Sequence, residues 1–100
     1  MPKHAIEILE GLPYERSTLL GFAKIRIKEL RLIIGGVAIR QKNSSRWAQL
    51  PSKAMVQDDQ LVRGPDGRIR YAKILEFETA EIRQAFSAAV LDAYDSYRPP

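Results

Sequence analysis

Trp47, the only tryptophan of the chain, stands in a basic stretch. Arg46 precedes it, and Lys53 follows at the end of Leu50-Pro51-Ser52-Lys53. Arg68 and Arg70 then flank Ile69 just before Tyr71, and Lys73 follows. A ring can stack on an unpaired base while neighbouring cations hold phosphates. A further basic row lies upstream, where Lys24, Arg26 and Lys28 interleave with Ile25 and Ile27. Such residue types, in such an arrangement, are suited to gripping a polyanion.

Few residues of the chain are suited to catalysis. His4 is the only histidine and sits in a terminal segment, where a solvated role is expected. Asp58-Asp59 has the types of a metal pair, but adjacent acids in a polar loop are ordinarily just solvated. Ser52-Lys53 has the types of a Ser-Lys dyad, yet consecutive strand residues point to opposite faces, so the amine could not reach the hydroxyl. No glycine-rich phosphate loop, metal-spaced His/Cys set or nucleophile elbow occurs. The expectation is a protein that is not an enzyme and uses no metal, cofactor or small-molecule substrate.

Charge supports the polyanion reading. From Lys24 to Lys73 there are 12 Lys/Arg against 4 Asp/Glu, which gives +8. The remainder has 4 cations and 8 acids, which gives −4, so the net is +4. A basic centre between acidic ends raises the local concentration of a polyanion.

Stepping from side chains to the elements that carry them, 100 residues imply one domain. A domain of this size has a thin core, and such domains often gain stability by dimerising. The absence of cysteine removes any disulfide framework or thiolate metal site and fits a reducing cytoplasm. No signal peptide is read at the N-terminus, and no apolar run approaches the ~18 residues of a membrane span.

Lys3 to Leu9 reads as a short strand, broken by Glu10-Gly11-Leu12-Pro13 and followed by a loop from Tyr14 to Thr18. Leu20 to Lys28 alternates with period two, so Ala23, Ile25 and Ile27 face a core and the three cations face out. A row of like charges is costly unless a polyanion or facing acids meet it, and a partner subunit is one source of such acids. Leu30 to Arg40 is the next strand, with its phase changing at Gly35-Gly36, as a bulge would make it do. Gln41 to Ser45 is a turn, Arg46 to Leu50 a strand, and Lys53 to Asp66 a polar connection or ragged hairpin. Gly67 to Phe77 is the last strand, in which Tyr71 shares the parity of Ile69 and Leu75 and so belongs to the core. Trp47, too, is expected as a core anchor before a stacking platform.

A helix closes the chain. Thr79 is its N-cap, with Glu78 and Glu81 at the positive end of the dipole. Ile82, Phe86, Ala89, Val90, Ala93 and Tyr97 form one apolar stripe. Leu91 falls almost opposite that stripe, with Tyr94 to one side.

From about Leu20 to Tyr94 the chain resembles the SpoVG family (stage V sporulation protein G, or septation protein). The matching residues are Ala48-Gln49-Leu50-Pro51-Ser52-Lys53, Pro65-Asp66-Gly67, Arg70-Tyr71-Ala72-Lys73-Ile74, and Arg83 with Ala89-Val90-Leu91-Asp92-Ala93-Tyr94. The loop from Ala54 to Gly64 is longer than the family's, and Arg70-Tyr71 stands where the family has Arg-Asp. The resemblance implies a small homodimeric sheet-plus-helix protein that binds DNA and RNA and acts as a bacterial regulator.

The reading is thus an α+β fold of four to five antiparallel strands with one C-terminal helix on one face, as a single domain over residues 1–100 with its core at about 20–97. The nucleic-acid site is expected at Lys24, Arg26, Lys28, Arg46, Lys53, Arg68 and Arg70. The dimer interface is expected at Leu91 and Tyr94. A protein-interaction module without nucleic-acid affinity is the rival function, and a single-strand-binding fold of the whirly type is the rival fold.

Overall fold

Alternation makes a strand of Leu19–Ile27 (β2), whose Ala23, Ile25 and Ile27 are buried while Lys24 is exposed. The structure is a computed structural model that describes residues 5–99. Lys3 and His4 lie outside the described residues. β2 is flanked by Ile6–Arg16 (β1) and Leu32–Lys42 (β3), and β3 pairs with Ser45–Gln49 (β4). The result is a four-stranded antiparallel sheet in the order β1-β2-β3-β4.

β1 is longer than its sequence suggests. It runs through Gly11 and Pro13 instead of stopping there, with pairing irregular after Ile8 and after Pro13. The reason is position: β1 is an edge strand, and an edge tolerates a residue without an N–H. Between β2 and β3, Ala23 faces Val37 and Ile25 faces Ile34, so Lys24 stands opposite both Gly35 and Gly36. That is the expected bulge. Gly36 takes a φ of 72°, where a side chain would be strained. The bulge returns both halves of β3 to the core, where Ile34, Val37 and Ile39 are buried.

One helix, Ala80–Ser96 (α1), covers one sheet face. The Thr79 hydroxyl accepts from the Ile82 N–H at 3.1 Å and caps the first turn. Phe86, Ala89 and Val90 are buried beneath the helix, and the described core holds no charged residue. Ile82 belongs to the same stripe but is 46% exposed.

The sheet curls so that both outer strands, β1 and β4, touch α1. A helix held from both sides buries more than a narrow stripe. Leu91 and Tyr94, expected to face a second subunit, are therefore half-buried against the core of their own chain. Tyr94 and Tyr97 lie over Gly11 of β1, where a methyl would come within 3.3 Å of the Tyr97 ring.

The expected last strand, Gly67 to Phe77, is mostly not a strand. Only Tyr71–Lys73 (β8) is, and it pairs with Ser52–Ala54 (β5). Between them the chain makes two short arms. The first is the hairpin of Val56–Gln57 (β6) with Gln60–Leu61 (β7), and the second is held by the Arg63–Ile69 bridge. Stem and arms meet in a closed ring of backbone hydrogen bonds. Met55 N–H donates to Arg70 O at 2.8 Å, Arg70 N–H to Val62 O at 2.8 Å, and Val62 N–H to Met55 O at 2.9 Å. The ring satisfies the polar backbone where three two-stranded legs diverge.

Candidate nucleic-acid interface

The two-armed hairpin gathers part of the expected site. Lys53 faces Ala72 across the stem, Arg70 stands just before β8 where stem and arms meet, and Arg68 lies beyond it in the second arm. The Arg70 guanidinium lies over Gly64, which has no side chain to displace it. Among the described residues, Lys53 and Arg70 form no ion pair, and Arg68 has only a loose one to Asp66 at 3.9 Å. The tip is shaped by Asp66, whose carboxylate accepts from the Arg68 N–H at 3.1 Å. Arg63 donates to Gly67 O at 2.9 Å.

Tyr71 does not reach the core expected for it. It is 60% exposed, because a three-residue stem has no second layer to bury it. Ile74 and Leu75 beyond it are exposed as well. Asp58 and Asp59 form the two-residue turn of the first arm, at φ values of 52° and 62°. Two central residues at positive φ match the twist of a hairpin, which accounts for the pair without a metal. No group of acidic, His or Cys side chains able to hold a metal occurs among the described residues.

The Lys24, Arg26 and Lys28 row is met from within the chain. Arg26 donates to the Glu7 carboxylate at 2.8 Å, and Lys24 lies opposite Glu10 on β1. The acids that such a row needs are thus supplied by the neighbouring strand. Lys28 is not on the strand at all, but begins the one-turn 3-10 segment Lys28–Leu30.

Arg46 faces the helix. Its guanidinium donates two hydrogen bonds to Asp95, at 2.9 and 2.7 Å. These bonds hold the Asp95 carboxyl below the usual carboxylate range and raise Arg46 further above its own. A cation so engaged is not free to grip a phosphate. Trp47, one residue on, is half-buried on the face away from α1 and is not packed on the core.

Sequence reasoning missed Arg40. It lies opposite Trp47 on β3, and its guanidinium is held by the Gln49 carbonyl at 2.8 Å and the Thr18 hydroxyl at 3.0 Å. Both acceptors are neutral, so its charge is fixed in place but not cancelled. Its parity with Lys42, away from buried Ile39, was the available signal.

A groove of about 850 Å³ runs between β4 and α1. Leu50, Pro51, Leu75, Phe77 and Leu91 line it, and Lys73, Arg83, Glu76 and Glu78 are at its rim. Cations and acids alternate there, so it is not a one-sign track for a polyanion. No helix among the described residues is long and apolar enough to cross a membrane. No family model, curated protein or solved structure matches the chain.

Proposed function

We propose that the chain is a small nucleic-acid-binding regulatory protein of the SpoVG type, acting as a homodimer in the cytoplasm and without enzymatic activity. The observation that carries this reading is the run of Lys53, Arg68 and Arg70 along one hairpin outside the four-stranded sheet, where the loose contact of Arg68 with Asp66 at 3.9 Å is the one ion pair these three make among the described residues. Three cations with so little carboxylate to offset them are suited to phosphate oxygens. The exposed Ile74, Leu75 and Ile82 near the groove supply an apolar surface for a second copy.

Fluorescence anisotropy with labelled duplex DNA, single-stranded DNA and RNA tests the reading, each at about 50 and about 200 mM salt. The expected result is affinity that falls steeply with salt. Absence of binding to all of them would transfer the basic hairpin to a protein partner, with the apolar rim of the groove as the adjoining contact.

A further inference from the structure

The sheet face opposite α1 is open, and its two halves differ. In one half, Glu7 faces Arg26 and Glu10 faces Lys24, so acid and base balance. In the other, the cross-strand rows run Leu12–Phe22–Ala38–Gln49, then Arg16–Leu19–Arg40–Trp47, then Lys42–Ser45. No position in those rows is acidic. Tyr14 joins them, its ring 6.5 Å from that of Phe22. Three aromatic rings and three cations thus share one sheet surface with no carboxylate in its rows.

We propose that this half of the sheet is a platform for single-stranded nucleic acid. Bases stack on Tyr14, Phe22 and Trp47, while Arg40, Arg16 and Lys42 hold the backbone. The inference rests on the nucleic-acid reading above but assigns it a second surface, apart from the hairpin. Three features select this occupant. Neither Phe22 nor Trp47 packs on the core under α1, so each leaves a ring edge or face toward solvent. Arg40, cross-strand from Trp47, is held by two neutral acceptors, Gln49 and Thr18, an arrangement that orients a guanidinium without neutralising it. This face carries no helix among the described residues to enter a duplex groove, whereas unstacked bases lie readily on aromatic side chains of a sheet. A second copy is a poor occupant, because a two-fold pairing of this face would set Arg16, Arg40 and Lys42 against themselves.

The single tryptophan provides the probe. A thymidine oligomer of about 20 nucleotides, added to the intact protein, is expected to quench Trp47 emission. Arg40→Gln, checked for an unchanged melting curve, is expected to weaken binding of that oligomer roughly tenfold and to leave duplex affinity as it was. Either unchanged emission on binding, or unchanged oligomer affinity in Arg40→Gln, overturns the platform while leaving the hairpin reading intact. No binding of any nucleic acid overturns both. Sedimentation of Phe22→Lys completes the test. A wild type that self-associates, and a Phe22→Lys monomer with undiminished oligomer affinity, would make this face a subunit interface and overturn the proposal.

Discussion

Arg46 and Asp95 form a two-pronged ion pair, with hydrogen bonds of 2.9 and 2.7 Å, that ties edge strand β4 to the last turn of α1. Asp95 would be poorly placed without it. The C-terminal end of a helix carries partial negative charge, and the last turn of α1 contains no basic residue of its own. Arg46 supplies a cation to the Asp95 carboxylate from across the groove, while Arg98, just past the helix, donates to the Asp95 and Tyr97 carbonyls at 3.1 and 2.9 Å. Removing the arginine should therefore cost more than removing the acid. Arg46→Ala leaves a carboxylate facing a like dipole, and about 1 kcal/mol is expected after allowance for solvent screening. Asp95→Asn removes the pair and the repulsion together, so its cost should be smaller. Urea unfolding of both single variants and the double variant measures the difference, and equal costs would show that the dipole contributes nothing.

The same pair sets a pH dependence. Asp95 has a lower pKa folded than unfolded, owing first to the hydrogen bonds from Arg46. A depressed carboxylate adds stability that is fully present above the unfolded value, about 4, and is lost as pH falls through the folded value. Wild-type stability should therefore decline more steeply between about pH 5 and about pH 3 than that of Asp95→Asn. Parallel urea midpoints in the two proteins over that window would rule out the linkage.

Ser87 shields the free edge of β4. Its hydroxyl accepts from the Ala48 N–H at 2.8 Å, a donor that points away from β3 and has no strand to pair with. Ser87→Ala should cost about 1 kcal/mol, since the edge donor loses its acceptor in a partly buried place. An unpaired edge is also a template for pairing with other chains. Thermal melting and light scattering should show a lower midpoint and more aggregation on heating. A variant as stable and as soluble as wild type would mean that water replaces the hydroxyl without loss.

Much of the fold was legible because it follows from local rules. The alternation of Ala23, Ile25 and Ile27, the phase change at Gly35-Gly36 and the cap at Thr79 each express a short-range constraint. What could not be read depends on position in the sheet. Pro13 looks like a strand breaker until β1 is known to be an edge. Tyr71 has core parity, but β8 has no layer above it. The candidate site suffers similarly. Arg46 and Asp95 are 49 residues apart, so the pairing that withdraws Arg46 from phosphate binding leaves no mark in its neighbourhood. Arg40 reads as one more solvated cation until Thr18 and Gln49 are brought beside it.

The cap at Thr79 offers a clean test of how firmly α1 is nucleated. Its hydroxyl satisfies one of the four free N–H groups of the first turn. Thr79→Ala should cost about 1 kcal/mol, whereas Thr79→Gly should cost only a few tenths. Ile82 in the first turn is 46% exposed, so packing does little there to hide the loss. Chemical denaturation resolves the two variants, and an alanine variant as stable as wild type would show that the hydroxyl is dispensable.

Cations already engaged by acids and those left free should differ in their effect on binding. Arg26 and Arg46 are each hydrogen-bonded to a carboxylate, at Glu7 and Asp95. Arg68 and Arg70 lie along the second arm, where their one ion pair among the described residues is the loose contact of Arg68 with Asp66 at 3.9 Å. Replacing both arm arginines with alanine should lower affinity for duplex DNA by about tenfold or more and flatten the salt dependence by nearly two phosphate contacts. Replacing Arg26 and Arg46 should lower stability but leave the salt slope close to wild type, because neither guanidinium is available to displace counterions. The comparison holds net charge constant between the two double variants, so long-range attraction falls equally in both. Equal loss of affinity would then mean that the protein attracts nucleic acid through its overall field, with no contact surface on the arm.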